Sequence, residues 1–276
     1  MKIFTVFALL AVLCPAASAG RREATLTVLD CESYESSLKS ICDLYEATAA
    51  DVTGFLWAVD LDKEYEKRTT SVSSQDPLAD LFELRFGLPA QAFDQVRWFH
   101  LTRVPCGTDF AQGILPLHSM LKTIWQTVIS IPTDAPTKAN LQRLQKEGLS
   151  NNFYGLKTQS LIHSGPYAVL VREAAFHARS MGNHDYLAFS EIIEDICNGY
   201  QKEFGERIHE RIAAALKPCI VKFETAEEDG NRLVTPLLSY CWHKVHNEKL
   251  SFGINAGYNG GGIAIPNAAI RRVEFP

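Results

Sequence analysis

The run from Val96 to Leu117, VRWFHLTRVPCGTDFAQGILPL, constrains the fold more than any other stretch. Val96 to Val104 is dense in β-branched, aromatic and aliphatic residues, which predicts a buried strand with Arg97, His100, Thr102 and Arg103 set among them. Pro105-Cys106-Gly107-Thr108 then breaks the strand. Phe110, Ile114 and Leu117 follow at helix-like spacing, interrupted by Gly113 and Pro116. Successive strand side chains alternate, so His100 and Thr102 leave the same face. A His and a Thr side by side on a strand, just before a turn, make a small polar site on a rigid element. Arg97 and Arg103 flank His100 and leave a local basic groove open there.

The chain has 276 residues and is 46% hydrophobic, enough for a substantial core in one large domain or two small ones. A formal charge of -5 argues against coating nucleic acid by bulk electrostatics. Residues 1–19 have the form of a secretory signal peptide. Lys2 supplies the positive end, Ile3 to Leu13 the apolar run, and Ala17-Ser18-Ala19 a cleavage site. The apolar run is too short to span a bilayer, so no membrane span is expected after cleavage. The expected location is secreted or periplasmic, or cytoplasmic if the start is misassigned. Of seven cysteines, Cys14 lies in the leader, and six remain: Cys31, Cys42, Cys106, Cys197, Cys219 and Cys241. They permit up to three disulfides, while Cys197 and Cys219 sit among apolar residues as buried thiols would. No C-x-x-C is present to suggest a structural zinc site or a redox pair.

Ala24 to Leu29 alternates like a short strand. Ser33 to about Glu66 is helical in spacing, with Thr48 as a cap, and Asp76-Pro77 opens a helix to Phe86 after a Ser71–Ser74 linker. Residues 20–92 therefore form a mostly helical front section, and 93–276 an α+β domain. In the second part His118 to Ile131, Thr137 to Glu147, Glu173 to Met181, Glu191 to Glu203 (capped by Ser190) and Glu206 to Leu216 are expected as helices. Ser150-Asn151-Asn152 reads as a turn. Tyr167 to Val171, Cys219 to Phe223, Leu250 to Ile254, Ile263 to Ile265 and Ile270 to Phe275 are expected as strands. The fold class is α+β: a helical N-terminal section followed by a mainly antiparallel sheet with flanking helices.

His100-Leu101-Thr102, followed by Phe110-x-x-Gly113-Ile114-Leu115-Pro116-Leu117, resembles the first motif of the ADP-ribosyltransferase-like fold in its His-bearing branch. The resemblance implies that His100 and Thr102 contact NAD on its nicotinamide-ribose side. It further implies that Tyr167, after Ser164-Gly165-Pro166, is the aromatic residue that stacks on nicotinamide, with His100 and Tyr167 as the catalytic pair. The family's late Glu is missing from its expected place: Gly262 stands ahead of Ile263-Ala264-Ile265-Pro266. Glu191 and Glu194 lie on an expected helix, Glu224 ends a strand and Glu274 is nearly terminal. The implied function is NAD binding, with ADP-ribose transfer to an unknown acceptor or a degenerate, non-catalytic form of it. The alternative is an exported α+β binding or interaction protein without chemistry.

Other constellations have plainer accounts. His177 and His184 with Asp185, and His243 with His246, invite a metal reading, but a metal site needs three or four convergent ligands and neither pair comes with an H-E-x-x-H pattern, so no metal is expected. Cys106 near His100 would suit a cysteine nucleophile, but no protease signature surrounds it. Glu191 and Asp195 share a helix face and suit acid–base chemistry or a cation, or else a solvated helix N-terminus. Gly257 to Gly262 reads as a hairpin or loop, and Pro266 as a bulge or turn. There is no G-x-S-x-G, P-loop or Rossmann glycine motif.

Overall fold

The computed structural model describes residues 26–68, 76–149, 152–159, 163–226 and 230–276. The leader, Ala24 and the Ser71–Ser74 linker lie outside the described residues. The sheet is built on β2 (Gln95–Val104), which lies between β3 (Tyr167–Val169) and β4 (Lys217–Ala226). β5 (Gly257–Asn259) and β6 (Ile270–Glu274) extend it at the two edges, all antiparallel, and β1 (Val28–Leu29) pairs with the start of β2 in parallel. The α+β expectation holds, and the sheet is mainly antiparallel.

Pairing between β2 and β4 runs the full strand, from Gln95↔Ala226 to Val104↔Lys217. Pairing between β2 and β3 is confined to Phe99↔Val169. This register sorts the side chains of β2 onto two faces. Val96, Trp98, His100 and Thr102 share one face with Phe223, Val221 and Cys219. Arg97, Phe99, Leu101 and Arg103 share the other with Glu224, Lys222 and Ile220.

The first face belongs to the main core. Trp98, Phe223 and Val221 pack in one cluster with Ile41 and Leu44 of α1 (Tyr34–Tyr45), Val52 and Leu56 of α2 (Ala49–Ala58), and Leu78 and Phe82 of α4 (Pro77–Phe86). These helices start where capping chemistry is local. Ser33, Thr48 and Asp76 each accept a hydrogen bond from a first-turn N–H. α3 (Leu61–Arg68) completes the front section. α11 (Val234–Val245) lies against α1, α2 and α4 and contributes Leu237, Leu238, Tyr240 and Cys241 to the same cluster. The front section therefore shares the core of the sheet.

A second core contains no strand residue. α5 (Leu117–Ser130), α6 (Ala135–Glu147) and α7 (Asn152–Gln159) are inserted between β2 and β3; α8 (Ala174–His177), α9 (Glu191–Phe204) and α10 (His209–Ala215) between β3 and β4. Trp125, Leu141, Ile196, Tyr200 and Ile212 are among its buried residues. Arg103 ties this layer to β2 by donating to the carbonyls of Leu187, Ala213 and Leu216 at 2.6–2.7 Å.

Several local expectations are corrected. The 173–181 helix is a single turn, Ala174–His177, although Ala178 and Met181 beyond it are buried as well as Ala174 and Ala175. Ser190 precedes α9 but makes no side-chain cap bond. Leu250 to Ile254 is a 3-10 turn at Phe252–Ile254, and Ile263 to Ile265 is reduced to one bridge, Ile114↔Ile265. Asn152 opens α7, and β5 takes up the first half of the glycine-rich loop. Pro266 does turn the chain, into the 3-10 segment Asn267–Ala269.

On the second face, charges are linked into an unbroken alternating series. Arg172 pairs with Glu274, Glu274 with Arg272, Arg272 with Glu32, and Glu32 with Lys222. Lys222 pairs with Asp30, Asp30 with Arg97, Arg97 with Glu224, and Glu224 with Arg271. Lys222 is only 6% exposed and Glu224 only 9%, so neither charge is tolerable without its partners. The hydrogen bonds from Arg97 and Arg271 hold the Glu224 carboxyl below its usual pKa against the opposing effect of burial. Glu224→Gln is expected to destabilise the fold by about 3 kcal/mol, because it leaves Arg97 and Arg271 facing a neutral amide; urea denaturation measures this. Gly113 (φ +81°) carries the turn against Ile265, and a Cβ there would lie 2.0 Å from the Ile265 carbonyl oxygen. Gly113→Ala should therefore cost at least about 2 kcal/mol in the same assay.

Candidate functional site

His100 stands where the β2–β3 ladder stops. Beyond Phe99↔Val169 its ring takes over a strand carbonyl, with Nδ1 2.7 Å from the Tyr167 oxygen. A carbonyl only accepts, so Nδ1 carries the proton and donates it. Burial lowers the His100 pKa and outweighs the opposing effect of that hydrogen bond, so the imidazole is neutral at pH 7. The remaining nitrogen, Nε2, then presents a lone pair. It has no hydrogen-bond partner among the described residues and is not sealed from solvent. The half-buried Thr102, two residues on and on the same face, likewise makes no side-chain hydrogen bond to a described residue. One acceptor nitrogen and one hydroxyl are thus displayed side by side by a strand whose other edge is fully paired.

The turn after β2 and the glycine-rich loop meet nearby. Ile114 and Ile265 exchange backbone hydrogen bonds at 2.9 Å. Gly260 and Gly262 donate to the carbonyls of Pro166 and Gly165 just before β3. The absence of a side chain matters at Gly260, where a Cβ would meet Pro166 Cδ at 2.8 Å. His118 and the buried Ser164 hydroxyl, 3.1 Å apart, join the start of α5 to the same segment.

Tyr167 is not part of this arrangement through its ring. Ala168 pairs with Tyr258, which packs on Trp98 and Phe223 and so marks the main-core face. The flanking Tyr167 side chain leaves the opposite face and is 43% exposed. Burial and then the nearby Glu191 charge raise its pKa. Only the Tyr167 carbonyl serves His100. The structure thus brings His100 and Thr102 together and separates the Tyr167 ring from them.

The tyrosine belongs to a different cluster. Tyr186 donates to Glu191 at 2.6 Å, and Lys157 sits between Glu191 and Asp195 at 2.9 and 2.8 Å. Asp195 is 7% exposed, so the α9 start is not simply a solvated terminus. Glu191 and Asp195 share a helix face, as their spacing requires, but the gap between them is filled by an ammonium. The signal missed in the sequence was Lys157, on a segment that reads as neither helix nor strand.

The remaining expectations resolve into ordinary contacts. Arg97 and Arg103 face away from His100 and are consumed by the ion series and by carbonyls, so they form no basic groove beside it. All six described cysteines are free thiols. Cys106 is exposed in the turn, whereas burial pushes Cys197 to about 12 and Cys219 to about 11. His243 donates to the Ser239 carbonyl, and His246 to that of Leu56, its ring stacked between Trp57 and Trp242. Among the described residues, no group of three or more His, Cys, Asp or Glu side chains is placed to hold a metal ion.

No helix among the described residues is long and apolar enough to cross a membrane. Comparison with family models, curated proteins and solved structures returns no match.

The depressed pKa of His100 has a definite consequence for stability. Below its unfolded value of 6.5 the unfolded chain binds more protons than the folded one. His100 therefore destabilises the fold progressively as pH falls from about 6.5 toward its folded pKa, and His209, also lowered by burial and by Arg207, adds to the same window. His100→Gln should flatten part of the decline in melting temperature between about pH 7 and about pH 5. An unchanged decline would mean that His100 titrates normally.

Proposed function

We propose that this chain is an NAD-binding protein of the ADP-ribosyltransferase-like kind that has kept the ligand contact and lacks the transfer chemistry. The observation that carries the proposal is the pair of unpartnered polar atoms on one face of β2, His100 Nε2 and the Thr102 hydroxyl. A neutral, tautomer-fixed imidazole offers an acceptor to a ribose hydroxyl, and the threonine can donate or accept beside it. The splayed β2–β3 end, with the Ile114–Ile265 bridge and the glycine turn close by, supports a ligand entering at this end of the sheet.

Departure of nicotinamide builds positive charge on the ribose, and a carboxylate facing it supplies the main stabilisation. None of the four late carboxylates considered in the sequence fills that role here. Glu224 and Glu274 are locked into the ion series on the opposite face, Glu191 lies in the Tyr167–Tyr186 cluster, and Glu194 stands 3.8 Å from His184. The site therefore reads as a binding site before it reads as a catalytic one.

Isothermal titration of the full chain with NAD tests this. Saturable binding is expected, weakened about tenfold by His100→Ala and by Thr102→Val, each of which removes one hydrogen bond to the ligand. Tyr167→Ala should leave the affinity unchanged, and no nicotinamide should be released. Parent protein that does not bind NAD, or binding indifferent to His100→Ala, would sink the proposal. The separation of His100 from the Tyr167 ring favours one second reading, an α+β interaction protein with no nucleotide site; failure of the parent to bind NAD is the result it requires.

A further inference from the structure

A concavity lies between the 179–189 loop, α9 and α10, with a volume of about 400 Å³. Part of its lining is already paired, Arg179 with Asp185 at 3.4 Å and His184 with Glu194 at 3.8 Å, and part is not. The side chains of Asn183, Arg207 and Glu210 make no hydrogen bond or ion pair with any described residue. His209 uses Nε2 on Asn198 Oδ1 at 2.8 Å, and its Nδ1 is left without a partner. Phe189 lies beside the His209 ring, centroids 5.9 Å apart, and supplies an apolar wall.

The chemistry of this lining selects a ligand class. Two arginines and three carboxylates line the cleft, so no strong field of one sign draws in an ion. Guanidinium and amide donors and carboxylate acceptors line the cleft together with the Phe189 ring. A ligand that satisfies both kinds while carrying no charge must offer groups that donate and accept at once, and hydroxyls do this. A ring-shaped carbon skeleton would place its C–H face on Phe189. A volume of about 400 Å³ falls in the range of small-molecule sites. We propose that this cleft binds a neutral polyhydroxylated molecule the size of one or two sugar rings, independently of the His100 site.

The test uses the full chain and three probes, maltose, N-acetylglucosamine and myo-inositol, titrated separately by calorimetry. At least one should bind saturably. Arg207→Ala and Asn183→Ala should each weaken that binding about tenfold or more, since each removes a donor to a hydroxyl. Arg207 is exposed and Asn183 half-buried, and neither side chain is bonded to a described residue, so the variants should keep the parental melting temperature, which separates a lost contact from a lost fold. Absence of saturable binding with all three probes would overturn the proposal, as would an affinity that survives the Arg207→Ala, Asn183→Ala double variant.

Discussion

Ten consecutive residues of β2 pair with ten of β4, and this ladder decides which side chains can meet. Because side chains alternate, the register sends Trp98, His100 and Thr102 to one face and Arg97, Phe99 and Arg103 to the other. A one-residue slip would exchange the two sets, placing Trp98 among the carboxylates and Arg97 in the main core. Both faces oppose that slip: one by apolar burial, the other by charges that need their partners.

The two faces are built from different physics. The main-core face is filled by aromatic and aliphatic side chains from the sheet, the front helices and α11. Opposite it, crossing arginines, a lysine and carboxylates cover one part of the sheet, and Phe99, Leu101 and Ile220 pack with Ala175 of α8 on another. Exposed ion pairs contribute little, but Lys222 and Glu224 are buried, and their geometry has to be satisfied for the sheet to close at all. The series draws on Asp30 and Glu32 near one end of the chain and Arg271, Arg272 and Glu274 near the other, so it also fastens the termini of the fold to its central strand. Past this region Arg103 takes over and anchors the helical layer. His100 is thereby left on a strand held rigidly along one edge and released along the other.

Much of the local structure was legible because its causes are local. Thr48 and Asp76 mark helix starts through bonds to N–H groups two or three residues away. The apolar density of Val96 to Val104 marked the central strand, and Gly148 the end of α6. α11 was not delimited because VTPLLSYCWHKV carries a proline in its first turn, which obscures where the helix starts. α7 was missed for a different reason, since it has almost no amphipathic contrast. The expected Leu250 to Ile254 strand failed because apolar residues there fill the core from a 3-10 turn without pairing.

The sequence by itself determined that His100 and Thr102 share a face, because backbone alternation requires it wherever the strand forms. It also determined the α+β class, through helical and strand-like segments in succession. Only the tertiary structure decided that the Tyr167 ring faces away from that pair while its carbonyl fixes the His100 tautomer. Only it decided that Glu191 and Asp195 hold Lys157, and that Arg97 belongs to Asp30 and Glu224. Those outcomes depend on strand register and on contacts between residues far apart in the chain, which no short-range pattern records.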